Sequence, residues 1–528
     1  MAQAFRIRPG GVVPDGVPPD DVPPADDDAL ATAMDPANLG PNRLAHLAAT
    51  VPDQPFLTET ASGRTLTFRE TYERVLRWAV RLERAGVGPA DRVVSTLPAS
   101  VDAICVWFAV SLLRAYEVAV DPALRGEFLR HVLTDSGAAL AVVRPQHTEL
   151  VGAFGMTLLE VDPTHDALAG IEPTPRDVCV GPGDVCCVIY TSGTTGPAKG
   201  VVITWGHMTA LLGRVPRSWF GPDEVTYAMW PMFHVTGRSP VITMLDTVGR
   251  IVLRERFSRT DFWPDVQAYG ITHASLAAIA GLLADDPGPE PGEHPLRIVL
   301  GGSDPGILRF TERFGVTTVN NYGSTEIGFP VTNRRFGAEI RAVAGWPRRG
   351  YTLRVVDEQG RELGPGGVGE LHIRPPAREL MLREYLGRPD LTARATADGW
   401  YHTGDRVELF ADGGFRFVDR MRDTIRRFGE NISSTAVEHV VLGLDEVAEC
   451  AVVGVESRAA GQEVLLVLVP EGGPVDEAGL VSRLSKELPK HAVPLYVRSV
   501  ETLPKTANGK VRKTELANLA EGAWRRPD

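Results

Sequence analysis

At 528 residues the chain is too long for a single hydrophobic core, so at least two domains are expected. Its 43% hydrophobic and 23% charged content is ordinary for a globular protein, and a net charge of −12 argues against a general nucleic-acid binder, which needs cations to neutralise phosphates. No run of 18 apolar residues offers a transmembrane helix, and the N-terminal MAQAFRIRPGG lacks the apolar core of a signal peptide. The five cysteines are too sparse for a disulfide framework, so a reducing cytoplasm is expected. Cys105, Cys186 and Cys187 lie in apolar runs, as buried thiols do.

Residues 1–40 are rich in Pro, Asp and Gly and cannot bury enough surface to fold alone, which predicts a flexible acidic arm. From Asn42 the pattern turns α/β. NRLAHLAATV suits a short amphipathic helix, and Phe68 to Ala85 carries apolar residues at helical spacing. Arg92 to Leu97 and Ala138 to Val143 are strand-like, and Val101 to Leu113 is apolar enough for a buried helix. Strands alternating with helices predict sheets covered by helices.

Val185 to Tyr190 reads as a buried strand ending in Thr191, Ser192, Gly193, Thr194, Thr195 and Gly196, with Lys199 just beyond. Small, hydroxyl-bearing residues let a loop turn tightly and bring donors close to an anion. This is not a Walker A loop, because Ala198 precedes the Lys and Gly200 follows it. Lys199 is also the only lysine before residue 486 in a chain whose other basic residues there are all Arg. A compact ammonium, and not a planar fork, is the natural reason to keep it. The whole string, YTSGTTGPAKGV, resembles the phosphate loop of the adenylate-forming superfamily, which includes acyl-CoA synthetases, peptide-synthetase adenylation domains and luciferases. DPALRGEFLRHVLTDSGA (121–138) resembles the acyl-CoA ligases near their carnitine- and crotonobetaine-type branch.

Further along, WPMFHVTG holds His234 and Val235. A lone His is more often structural than functional, but the resemblance puts His234 at the border of a carboxylate pocket, together with Val235 and Gly301. Arg238 could meet an anionic substrate or form a surface ion pair, and the pair is the favoured expectation. FSRTDFWPDVQAYGIT (257–272) reads as a packing helix with Phe262, Val266 and Tyr269 on one side. LRIVL (296–300) is a strand ending in Gly301, Gly302 and Ser303, where glycine permits close approach by a flat ligand. VTTVNNYGSTEIG (316–328) is a second strand-to-loop site. Asn321 can read an adenine amino group, Tyr322 offers a plane, and Thr325 offers a hydroxyl. Glu326 is a hard oxygen ligand suited to Mg²⁺. Gly323 and Ser324 complete that loop. The resemblance implies that adenine lies near Gly302 and Ser303.

The segment 350–374 alternates strongly and reads as a β-rich subdomain. DGWYHTGD (398–405) ends in Asp405, a carboxylate of the kind that grips a ribose, and the resemblance supports that role. It also gives Arg420 ribose and phosphate contacts and places a hinge at Arg422. Strands are expected near 449–454 and 463–469. In LPKTANGKVRKTEL, Asn508–Gly509 is a turn pair that projects Lys510, whereas Arg512 and Lys513 read as a solvated basic tail. Lys486 and Lys490 read as a solvated helix face.

The resemblance thus implies an α/β fold. A large N-terminal domain, 41–421, is built of sheets covered by helices plus a β-rich subdomain. A small mobile α/β domain follows over 422–528. The implied enzyme activates a small organic acid, aromatic acids included, with ATP and Mg²⁺, releases pyrophosphate and passes the acyl group to CoA. Lys510, Thr325 and Glu326 are the implied catalytic residues, Thr191 to Gly196 with Lys199 hold the leaving phosphates, and Gly429, Glu430 and Asn431 face the thiol. The chain departs from the family pattern at Phe428, Ala436 and Ser303, and bulk at Phe428 could narrow the thiol path. Two alternatives stay open. One is an adenylate-forming enzyme with a non-CoA acceptor: a carrier protein, or an amine diazotised through activated nitrite in secondary metabolism. The other is a non-catalytic nucleotide sensor.

Overall fold

The computed structural model describes residues 5–8, 11–14 and 28–527, apart from 178, 192–197, 215–219, 277–278, 302–304, 333–343, 421–422, 428–429, 458–460, 489 and 507–508. At 5–8, 11–14, 28–29, 127–128, 213–214, 305, 424, 426, 430–431 and 461 only the backbone is described. By packing, the chain divides into two compact units: Met1–Thr352 with Ile373–Tyr401, and Leu353–His372 with His402–Asp528.

The first unit is built on two sheets. Seven described strands run in the order Glu384–Tyr385, Lys199–Thr204, Val185–Thr191, Tyr116–Ala119, Arg92–Ser95, Leu140–Val143 and Thr157–Glu160. Val185 to Ile189 are all buried, because both faces of the sheet are covered; that is why the stretch reads as a continuous apolar run. The helix Val101–Leu112 is apolar apart from Asp102 and Ser111 and is buried accordingly, with Ser100 capping its N-terminus. The helix Phe68–Arg84 starts with a capping box of Thr67 and Glu70.

The second sheet has nine described strands, in the order Trp346–Pro347, Gly328–Thr332, Thr317–Ser324, Ile298–Gly301, His273–Ser275, Val225–Ala228, Arg250–Leu253, Pro55–Glu59 and Thr65–Thr67. From Thr317–Ser324 to Pro55–Glu59 the pairs are parallel. Three motifs therefore leave the same carboxyl edge: Trp230–Gly237 after Ala228, Gly301 at its strand end, and Asn320–Glu326. Register pairs Gly301 with Asn320 directly. Ligands of open α/β sheets bind along that edge.

Two expectations are corrected here. The arm does not reach residue 40: Asp28–Met34 is helical, Pro36–Asn38 forms a capped 3₁₀ turn, and Ala33 and Leu39 are fully buried. Phe5–Arg8 also pairs with Gly11–Pro14. The helix expected over 257–272 runs only from Phe262 to Tyr269, with Phe262 and Val266 buried on the expected face. Cys105, Cys186 and Cys187 are buried free thiols.

Thr352–Val356, Val368–Arg374, Tyr401–Leu409 and Phe415–Arg420 form a four-stranded sheet that falls mostly in the second unit. A further sheet contains the long hairpin Val447–Ser457 with Gly461–Pro470, longer than the two strands expected there. The helices Ser434–Val441 and Glu477–Glu487 pack on it through Val437, Val441, Leu480 and Leu484. The packing division does not fall at 421/422, and Arg422 lies outside the described residues. A hinge there is a proposal about motion.

Candidate active site

Ser192, Gly193, Thr194, Thr195 and Gly196 lie outside the described residues, and the strands on either side of them are described. Thr191 closes one strand, Lys199 opens the next, and the two face each other in an antiparallel ladder. Around this base, His131 Nε2 lies 2.8 Å from the Ala198 carbonyl. The Tyr190 hydroxyl donates to Asp135 at 2.8 Å, and Arg388 pairs with the same carboxylate at 3.0 Å. A residue larger than Gly at 200 would press on Val188, Tyr190 and Leu386 at 3.0–3.2 Å, so the strand after the loop packs against its neighbours with no space for a side chain there.

Asn321 to Glu326 occupy a bulged turn. Thr317–Ser324 folds back antiparallel onto Gly328–Thr332, and the register slips between Tyr322 and Ser324. A Cβ at Gly323 would lie 1.8 Å from the Gly328 carbonyl, so only glycine fits the slip. The Asn321 side-chain oxygen is buried and has no hydrogen-bond partner among the described residues. An acceptor of that kind suits an exocyclic amine such as adenine's. Tyr322, Thr325 and Glu326 are half-buried. Glu326 Oε1 accepts from the Tyr385 hydroxyl at 3.1 Å, while Oε2 takes no hydrogen bond among the described residues. A half-buried carboxylate with one tethered and one open oxygen fits a hard divalent cation. His234 caps the helix Val235–Thr247 in extended conformation, with its ring 4.7 Å from that of Phe233, and Val235 begins the helix. A Cβ at Gly237 would lie 2.2 Å from the Pro231 carbonyl, which explains the glycine in that motif. Gly301 ends its strand as expected; Gly302 and Ser303 lie outside the described residues.

In the second unit Asp405, Arg420 and Lys510 come together. Asp405 and Arg420 are cross-strand partners, and Arg420 Nε lies 2.9 Å from Asp405 Oδ1. Lys510 leaves a tight turn in which Thr506 and Lys510 exchange hydrogen bonds and Gly509 takes φ +80°. Although the residue is exposed, its ammonium is held below the usual lysine range, first by loss of hydration, then by the Arg420 guanidinium, against the pull of Asp405. Arg512 pairs with Glu515 at the surface. Lys513 is no solvated tail: its Nζ lies 2.8 Å from Glu438 and donates to Ser434 at 2.6 Å. Gly429 lies outside the described residues, and Glu430 and Asn431 are described only as backbone of the strand Glu430–Ser433.

Sequence reasoning missed what steadies the Asp405 loop. Glu370 accepts from the Gly404 N–H at 3.1 Å, and the Thr403 hydroxyl donates to the Leu371 carbonyl at 2.7 Å while accepting from the Asp405 N–H at 3.0 Å. Glu370 also lies with His372 and His402 in a group of metal-ligand types. The two imidazoles stack at 3.8 Å with planes only 16° apart, so their lone pairs run side by side and do not converge on one ion. The group belongs to the loop's hydrogen-bonded support.

Two other groups are buried more deeply than the sequence suggested. Arg238 forms an ion pair, as favoured, but not at the surface. It is fully buried, 2.6 Å from Glu117, donates to the Met232 carbonyl at 2.6 Å, and lies over the Trp107 ring at 4.5 Å. His207 is also fully buried, and neither ring nitrogen has a partner among the described residues. Burial, aided by Arg378, pushes its imidazole down to about 3 from 6.5. The unfolded chain takes up that proton below pH 6.5 and the folded chain does not, so stability falls with pH from 6.5 downward. By pH 5 the loss is about 2 kcal/mol. His207→Leu is expected to remove this part of the slope, read by urea unfolding at pH 7 and pH 5.

A cluster at the carboxyl edge of a largely parallel sheet, a strand pair framing a phosphate-type motif, and a carboxylate–arginine–lysine group fit a nucleotide-dependent α/β enzyme of two units. Residues 44–386 match the AMP-binding enzyme family and residues 436–510 the AMP-binding enzyme C-terminal domain. The chain belongs to this family, within the adenylate-forming superfamily, and is an ATP-dependent ligase of the acid–CoA type. It is 32% identical to a feruloyl-CoA synthase of Amycolatopsis sp over 464 residues, 86% of this chain and 94% of that one. It is 29% identical to a crotonobetaine/carnitine–CoA ligase of Salmonella arizonae, over 82% of this chain and 89% of that one. The fold is shared with ATP-bound MatB from Rhodopseudomonas palustris (TM-score 0.82, 24% identity, 91% and 99% coverage) and with a benzoate CoA ligase from Burkholderia xenovorans (TM-score 0.80, 21% identity, 91% and 99% coverage). Among the described residues no helix is long and apolar enough to cross a membrane.

Proposed function

We propose that this enzyme activates a small aromatic carboxylic acid as its acyl-adenylate and transfers the acyl group to CoA. The approach of Lys510 to Arg420 and Asp405 carries the reading. It joins residues drawn from three separate motifs, each assigned to the same nucleotide by resemblance. The buried Asn321 oxygen, which has no partner among the described residues, supports an adenine contact. The preference for an aromatic acid rests on the similarity to the feruloyl-CoA synthase.

In the first half-reaction a carboxylate oxygen attacks the α-phosphorus of ATP and the bond to the β-phosphate oxygen breaks, releasing pyrophosphate. Two anions must meet, so charge neutralisation and alignment are the catalytic problem. Lys510 supplies the mobile cation. Thr191 to Gly196 with Lys199 hold the leaving phosphates, Thr325 donates to a phosphate oxygen, and Asp405 with Arg420 holds the ribose. Mg²⁺, when bound, shields phosphate charge, and Glu326 is the carboxylate that would hold it. His234, Val235 and Gly301 border the acid. In the second half-reaction a thiol displaces AMP from the acyl carbon, with Gly429 to Asn431 on its path and a pivot at Arg422.

Pyrophosphate release measured with ferulate, benzoate, anthranilate and malonate, with and without CoA, tests this. Release is expected with an aromatic acid, and an acyl-CoA thioester is expected only when CoA is present. Release driven instead by nitrite with an arylamine, or an acyl-adenylate that CoA never consumes, would overturn the CoA assignment.

A further inference from the structure

The segment Leu382–Leu386 straps the strand that leaves the phosphate loop to the turn that carries Glu326. On one side Tyr385 is the register partner of Val201, Leu386 N–H donates to the Gly200 carbonyl at 2.8 Å, and Arg383 N–H donates to that of Val202 at 2.8 Å. On the other, Leu382 N–H donates to the Glu326 carbonyl at 2.6 Å. Tyr385 repeats this bridge with its side chain. Its hydroxyl donates to Glu326 Oε1 at 3.1 Å, and its ring faces the Lys199 ammonium, 5.3 Å from the centroid. Tyr385 is 6% exposed, and its N–H donates to the Thr392 hydroxyl at 2.9 Å, so the ring sits on a fixed backbone. No motif of the sequence pointed to it.

We infer that Tyr385 is a positioning residue that sets Lys199 and the Glu326 carboxylate in one fixed arrangement for a metal–nucleotide complex. The inference rests on the reading of Glu326 as the metal's carboxylate. A glutamate on a turn loses rotamer freedom when it binds a cation, and a tether made beforehand lowers that cost. The tether occupies Oε1 and leaves Oε2 without a hydrogen bond among the described residues. The ring face gives the ammonium an attractive surface while the loop is empty, at the base where phosphate would arrive.

The test is binding of Mn²⁺ together with α,β-methylene-ATP, which is not cleaved at the reacting bond, to the full-length protein. Free Mn²⁺ is read by electron paramagnetic resonance, and nucleotide affinity in EDTA is read separately. Tyr385→Phe keeps the ring and removes the tether. It is expected to weaken Mn²⁺ binding by about 10-fold, the scale of a hydrogen bond to a charged group, with nucleotide affinity in EDTA unchanged. Tyr385→Leu is expected to weaken both. Glu326→Gln sets the reference. If Glu326→Gln leaves Mn²⁺ binding unchanged, the metal reading fails and the inference with it. If Glu326→Gln weakens binding and Tyr385→Phe does not, the inference alone is overturned. The double variant is expected to bind Mn²⁺ no worse than Glu326→Gln, and additive losses would also overturn the inference.

Discussion

Lys510→Ala is expected to slow adenylate formation by roughly 10²–10³-fold, the scale for losing one preorganised charge partner, and to leave thiolysis of a preformed acyl-adenylate within a few-fold of normal. The asymmetry follows from the chemistry. Negative charge concentrates where the carboxylate meets the α-phosphate, whereas the thiol step opens an anhydride already formed. Lys510 suits the first of these steps, because the turn Thr506–Lys510 holds its backbone while its ammonium lies under the influence of Arg420 and Asp405. Its lowered pKa adds a second signature. A lysine shifted down loses its proton at a lower pH than an ordinary one, so adenylation should show an alkaline decline that thiolysis lacks. Single-turnover measurement of each half-reaction across alkaline pH checks both points. Equal loss in the two half-reactions would overturn the assignment.

Arg238→Met is expected to destabilise the protein by about 3–5 kcal/mol, because it leaves Glu117 buried without its cation. Burial already pushes the Glu117 carboxyl up, against the pull of Arg238. Without the arginine that carboxyl rises further and is protonated in the folded state. A raised acid favours folding below its unfolded pKa and loses that advantage as pH increases, so the penalty should be larger at pH 8 than at pH 5. Arg238→Met with Glu117→Leu is expected to recover most of the loss, since apolar replacement of a whole buried pair is often neutral. Urea unfolding of the three variants at both pH values measures this. Arg238 follows the Trp230–Gly237 motif on the helix that His234 caps, so the single variant should also raise the KM for the acid.

Much of the proposed site could be named from the sequence because its chemistry is local. A phosphate loop needs small residues after a buried strand, and Val185–Thr191 shows that in its burial alone. Asn321 to Glu326 and Asp405 could be named from residue type and order for the same reason. The flexible arm was overextended because composition weighs Pro and Asp over a window and overlooks single apolar anchors such as Ala33 and Leu39. Lys513 was misjudged because a basic run at a chain end looks solvated until Glu438 is found beside it.

By itself the sequence determined the α/β class, the order of the motifs and the types of group suited to a nucleotide. These depend on periodicity, turn chemistry and charge, which act over a few residues. Only the tertiary structure decided which of those groups have partners. The cross-strand register of Asp405 with Arg420, the bond from Tyr385 to Glu326, and the burial of Arg238 against Glu117 arise from sheet register and layer packing. These join residues far apart in the chain, and their partners are chosen by the fold as a whole and not by any local pattern.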